Sequence, residues 1–82
     1  MKEIEWTEAA LDHMAALDKG VARRLKQAVE RFANTGAGSV KKLQGIQPAE
    51  YRLRVGDYRV RFHLEGDTIR VLRVGNRREA YR

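Results

Sequence analysis

The chain has 82 residues and no cysteine, which excludes a disulfide framework and a thiolate metal site. Its two histidines are too few for a histidine-based zinc site, so no metal and no other cofactor is expected. Nowhere do eighteen apolar residues run together, and no charged start leads into an apolar segment of signal-peptide length. A soluble, cytoplasmic protein without membrane attachment is therefore expected. Repeats and low-complexity tracts are also missing, and 43% hydrophobic with 34% charged residues is the balance of a globular chain, not a disordered one. One domain spanning residues 1–82 is expected. A chain this short buries a modest share of its surface, so its own stability is small and a protein partner has something to add.

Acidic residues fall short in only one half. Residues 1–40 hold six Lys/Arg against six Asp/Glu, whereas residues 41–82 hold eleven against five, which accounts for the whole net charge of +6. Nine of those eleven are arginine, whose planar fork binds phosphate bidentately and stacks on bases. A polyanion is the expected partner; the alternative is a solvated basic face that serves solubility alone.

The apolar pattern implies an α+β fold in the order β-α-α-β-β-β. Ile4 and Trp6 alternate with charge over Lys2 to Trp6, an N-terminal strand. Thr7 then stands where a helix N-cap is wanted, with Glu8 in the first turn. Ala10, Leu11, Met14 and Leu17 recur at helical spacing, and Asp18-Lys19-Gly20 supplies a turn. Val21, Leu25, Ala28, Val29 and Phe32 follow, completing a two-helix hairpin. Asn34, Gly36 and Gly38 end the second helix and open a loop that leads through Val40 and Leu43 to Gly45 and Pro48, the one proline.

The remainder reads as a three-stranded antiparallel meander. Tyr51, Leu53 and Val55 alternate with Arg52 and Arg54; Gly56-Asp57 has glycine where a type II′ hairpin requires it; Tyr58, Val60, Phe62 and Leu64 alternate with Arg59, Arg61 and His63. Glu65-Gly66-Asp67 turns the chain into Thr68–Val74, where Ile69, Val71, Leu72 and Val74 are nearly continuous, as in a central strand covered on both faces. If Val55 pairs with Tyr58, Arg54 lies opposite Arg59 and Arg52 opposite Arg61 on one face. Like charges directly opposite are destabilising, so four guanidiniums there suggest a phosphate clamp. The alternative is that the arginines extend into solvent or pair with Glu65, Asp67 or Glu79. Beyond it, a bend at Gly75 would turn Arg77 and Arg78 toward the hairpin and set Tyr81, an aromatic ring, in a basic cluster suited to single-stranded RNA. Ordinary packing at a chain end is the other reading of Tyr81.

Three segments carry a resemblance. Lys42-Leu43-Gln44-Gly45, then Tyr51-Arg52-Leu53-Arg54-Val55-Gly56-Asp57-Tyr58-Arg59-Val60, then Leu72-Arg73-Val74-Gly75-Asn76-Arg77-Arg78-Glu79-Ala80-Tyr81 together resemble the RelE-type toxins of bacterial type II toxin-antitoxin systems. The middle segment is common to RelE-like RNases and ParE-like gyrase poisons; the Arg-Arg-x-x-Tyr ending is more typical of the RNase branch. That resemblance implies ribosome-dependent mRNA cleavage by attack of a nucleotide's own 2′-hydroxyl, with no metal required and translation as the process inhibited. The implied catalytic residues are Arg52, Arg54, Arg59, Arg77 and Tyr81, with Lys41, Lys42, Arg61, Arg73 and Arg78 binding RNA. The implied partners are a cognate antitoxin, mRNA and the ribosome; DNA gyrase is the alternative target, and a degenerate RNA-binding member a third reading.

Two departures from the resemblance bear on chemistry. RelE-type enzymes carry lysine at the paired strand positions, whereas Arg52 and Arg54 remain protonated and can clamp but not accept a proton. Many relatives carry histidine where this chain has Asn76. Tyr81 and His63, the latter on the Arg59/Arg61 face by alternation, are the remaining candidates for general base; a satisfied strand histidine is the bland reading of His63. His13 is expected to be only a surface residue.

Overall fold

A computed structural model of the chain describes residues 2–76. Strand β1 (Glu3–Trp6) leads to helices α1 (Glu8–Ala15) and α2 (Lys19–Thr35), and strands β2 (Ser39–Lys42), β3 (Tyr51–Val55), β4 (Tyr58–Glu65) and β5 (Thr68–Asn76) follow. The five strands form one mixed sheet in the order β1-β5-β4-β3-β2. Only the β1–β5 pair is parallel; the other three pairs are antiparallel. The α+β class and the order of the expected elements stand, with one strand more than the meander called for.

The helix ends follow from side chains that satisfy otherwise orphaned backbone donors. Thr7 caps α1, its Oγ1 accepting from Ala10 N–H at 3.1 Å. Asp18 caps α2, accepting from Gly20 N–H at 3.0 Å. Lys19 and Gly20 are thus the first turn of α2, not a linker, and the turn between the helices lies at residues 16–18. Gly36, left-handed at φ 75°, closes α2, a conformation that penalises a Cβ.

One face of the sheet packs on the helices. Leu25, Val29 and Ala33 from α2 and Ala10 from α1 bury against Leu53, Val60, Phe62, Ile69, Val71 and Val74. Leu11 departs from the helical reading: it is 53% exposed, because α1 is short and turns Ala10 and Met14 toward the sheet. The loop expected around Val40 contains β2. Its sequence, Ser-Val-Lys-Lys, has one apolar residue, so pairing with β3 and not pattern makes it a strand, and lysine suits an edge.

Strand β5 is also unlike its sequence reading. Phe62 pairs with Val71 but Arg61 with Arg73, so Leu72 is an extra residue in β5. This β-bulge resets the alternation: Val71 and Val74 both face the core, and Arg73 shares the face of Arg61. The near-continuous apolar run reflects that reset, not cover on both faces, since Arg70 is half-exposed and Arg73 exposed. Past Val71 the strand also outruns β1, whose last pair is Trp6 with Val71. Groups at the start of α1 and on its last turn take over the edge. Thr7 N–H donates to Val71 O at 3.1 Å and Thr7 Oγ1 to Leu72 O at 3.1 Å. His13 Nδ1 accepts from Val74 N–H at 3.1 Å. His13 is therefore a structural tie between α1 and β5, although its ring lies at the surface.

Candidate nucleic-acid interface

The hairpin register is the one the sequence implies. Val55 pairs with Tyr58, Arg54 with Arg59 and Arg52 with Arg61. Gly56 has φ 59° and no non-glycine residue has positive φ among the described residues, the signature of a type II′ turn. Because Leu53 and Val60 point to the helices, the four arginines share the opposite, far face of the sheet.

The neighbouring strands extend each arginine pair into a row. Lys41 pairs with Arg52, Arg52 with Arg61 and Arg61 with Arg73, so four cations stand in register across four strands. At about 4.8 Å per strand the row is roughly 14 Å long. The next row up reads Ser39, Arg54, Arg59, Gly75. Lys41, Arg54 and Arg73 are exposed, and Arg52 and Arg61 half-buried.

Arg59 differs from its companions. It is only 7% exposed, and its Nη1 donates to Gly56 O at 3.2 Å and to Tyr58 O at 3.0 Å. The guanidinium thus braces the β3–β4 turn while adding its charge to the row. Gly75 stands opposite, paired in β5, which leaves that level of β5 without a side chain. The expected bend at Gly75 is absent: the ladder continues to Asn76, opposite Tyr58.

The row on the other side of the cations is of mixed sign. His63 pairs with Arg70 and Arg70 with Glu5, and Glu50, one residue before β3, is in phase with Arg52 and Arg54. Arg70 bonds Glu5 at 3.1 Å and Glu65 at 3.0 Å. The Glu50 carboxylate contacts Arg61 Nε through Oε2 and faces His63 Nε2 at 3.9 Å through Oε1; its side chain is 13% exposed. Ion pairing is thus part of this face, but Glu65 engages Arg70, not one of the four hairpin arginines, and Arg61 is met by Glu50. The sequence reading missed Glu50; its i, i+2 phase with Arg52 was the signal.

Lys41, Arg52, Arg54, Arg59, Arg61, His63 and Arg73 are therefore brought to one face. Lys42 is not: it pairs with Tyr51, in the opposite phase from Lys41, and so belongs to the helix side. Arg77, Arg78 and Tyr81 lie outside the described residues. A cavity of about 550 Å³ lies on the helix side, between α2 and β3, with Gln27, Arg31, Gly38 and Val55 among its lining residues. The cation rows form a surface, suited to an extended polyanion more than to an enclosed small ligand.

The family described as the ParE toxin of type II toxin-antitoxin system, parDE, matches residues 4–81. No curated protein matches the chain. Among solved structures, the RelB-RelE antitoxin-toxin complex from Methanococcus jannaschii contains a chain with TM-score 0.76 and 26% identity, covering 94% of each chain. The isolated RelE toxin of E. coli gives TM-score 0.74 at 21% identity, over 99% of this chain and 96% of that one. YafQ from E. coli gives 0.77 at 14% identity over 100% of both. At their identities these last two are likenesses of fold.

Proposed function

This chain belongs to the ParE toxin family of type II toxin-antitoxin systems, and we propose that it works as an endoribonuclease that cuts mRNA on the ribosome and so stops translation. The observation that carries the reading is the row Lys41–Arg52–Arg61–Arg73. A phosphate backbone laid across the row meets positive charge from four adjacent strands, the electrostatic term that dominates binding to nucleic acid.

The chemistry assigned to this face is transfer within the RNA. The 2′-oxygen of one nucleotide bonds to the adjacent phosphorus, the bond to the 5′-oxygen breaks, and a 2′,3′-cyclic phosphate and a 5′-hydroxyl result. Arg52, Arg54 and Arg61 hold the phosphate and stabilise charge on its oxygens as the phosphorane forms. Arg59 adds positive charge from its buried position and keeps the turn, and hence the spacing of Arg54, in place. His63 takes the 2′ proton, and the leaving oxygen takes one from water. Arg77 and Tyr81 are assigned to the phosphate and to stacking on a base, Lys41, Arg73 and Arg78 to the flanking backbone, and Lys42 to a contact beyond the main face.

A cognate antitoxin is the protein partner in this reading, supported by the antitoxin-toxin complex among the matched structures. An acidic, helix-forming segment that folds on a basic domain would neutralise it and add to its small stability. The family's ParE description favours a second reading, inhibition of DNA gyrase. Induction of the protein in cells separates the two: mapped 5′ ends at codon-dependent positions of translated messages are expected, whereas DNA damage with intact messages would replace the RNase reading by the gyrase one.

A further inference from the structure

His63 lies within reach of charged groups from three directions: Glu50 from the segment before β3, Arg61 and Glu65 from its own strand, and Arg70 from β5 opposite. Of the two carboxylates, Glu65 is engaged by Arg70. Glu50 faces the imidazole with one oxygen and Arg61 with the other, and its side chain is 13% exposed. A carboxylate has lone pairs enough for both, and Glu50 sits where the mixed row meets the cation row.

We propose that Glu50 is a positioning residue that sets His63 and Arg61 in one arrangement, so that proton acceptor and phosphate clamp address the same phosphodiester. The inference rests on the RNase reading and adds to it the residue that orients the base. A carboxylate facing Nε2 favours the tautomer with the proton on Nε2, leaving Nδ1 to accept. When Nδ1 takes the 2′ proton, the positive charge that appears on the ring lies opposite a fixed negative one. The 3.9 Å separation is longer than a hydrogen bond, as catalytic contacts often are before substrate binds, and becomes an ion pair once the ring is protonated. The second oxygen prevents Glu50 from turning freely, because Arg61 holds it from the strand that carries His63.

The test uses the full chain on programmed ribosomes, comparing wild type with Glu50→Gln, Glu50→Asp, His63→Asn and the Gln/Asn double variant, together with 15N signals of the His63 ring in the free protein. Glu50→Gln is expected to lower kcat about 10–100-fold with KM within about twofold, and Glu50→Asp to recover most of that loss. The double variant should be no worse than His63→Asn alone, because both changes act through one imidazole. The wild-type ring should carry its proton on Nε2, and Glu50→Gln should give a mixture of tautomers. Wild-type kcat in Glu50→Gln, a change confined to KM, or losses that multiply in the double variant would each overturn the proposal. If the wild-type protein cuts no ribosome-bound message, the RNase reading fails first. The ring signals then decide the Glu50–His63 coupling by themselves: a mixed tautomer in wild type, or one unaltered by Glu50→Gln or Glu50→Asp, overturns it.

Discussion

Two adjacent rows on the far face of the sheet have the same backbone spacing and opposite charge logic. One reads Lys41, Arg52, Arg61, Arg73, all cationic. The other reads Glu50, His63, Arg70, Glu5, with Glu65 joining Arg70. A sheet surface that only needed solubility could be built throughout on the second plan, where each cation meets a carboxylate across a strand. The all-cation row concentrates like charge across four strands, and the proposed RNA contact falls on that row. Glu50 bridges the two, touching Arg61 in one and facing His63 in the other.

The sharpest way to break that contrast is to reverse one charge in the middle of the cation row. Arg52→Glu is expected to lower single-turnover cleavage about 10²–10³-fold, the scale of losing one donor to a developing oxyanion. A loss under about tenfold would mean that the row is not where phosphate binds. Arg59→Ala probes the opposite kind of arginine, one braced within the fold. Removing its bonds to Gly56 O and Tyr58 O should cost about 2 kcal/mol in a urea titration, and an unchanged midpoint would place Arg59 with the surface cations.

Smaller effects sharpen the comparison further. Arg73→Ala should reduce the slope of log affinity against log salt for single-stranded RNA by about 0.7, one phosphate contact, with a modest fall in affinity measured by fluorescence anisotropy. Arg70→Ala, in the mixed row and 40% exposed, should change stability by less than about 1 kcal/mol and leave cleavage within about twofold of wild type. A large effect on cleavage from Arg70 would erase the distinction between the rows.

Much of this face was legible because a strand alternates with period two and a two-residue turn leaves no freedom of register. Tyr51 to Leu64 alone place Arg52, Arg54, Arg59 and Arg61 opposite one another, and Gly56 names the turn. What escaped depended on partners distant in sequence. Ser39–Lys42 has almost no strand pattern and becomes a strand because β3 offers it an edge, which adds Lys41 to the row and directs Lys42 away from it. Glu50 stands one residue before the strand segment; it is in i, i+2 phase with Arg52, but only the pairing of β3 with β4 brings it to Arg61 and His63, 11 and 13 positions later. His13 looked like a surface residue because the group its ring bonds, Val74 N–H, lies on a strand that β1 is too short to cover.

The sequence by itself determined the α+β order, the helix caps at Thr7 and Gly36, and the arginine hairpin, since each follows from local sterics, capping and alternation within a few residues. The tertiary structure alone decided that Arg73 completes the row. Strict alternation from Ile69 would turn Arg73 into the core and Val74 out of it. The extra residue at Leu72 reverses both, because burying Val74 against the helices while keeping a guanidinium out of an apolar interior is worth more than an unbroken ladder.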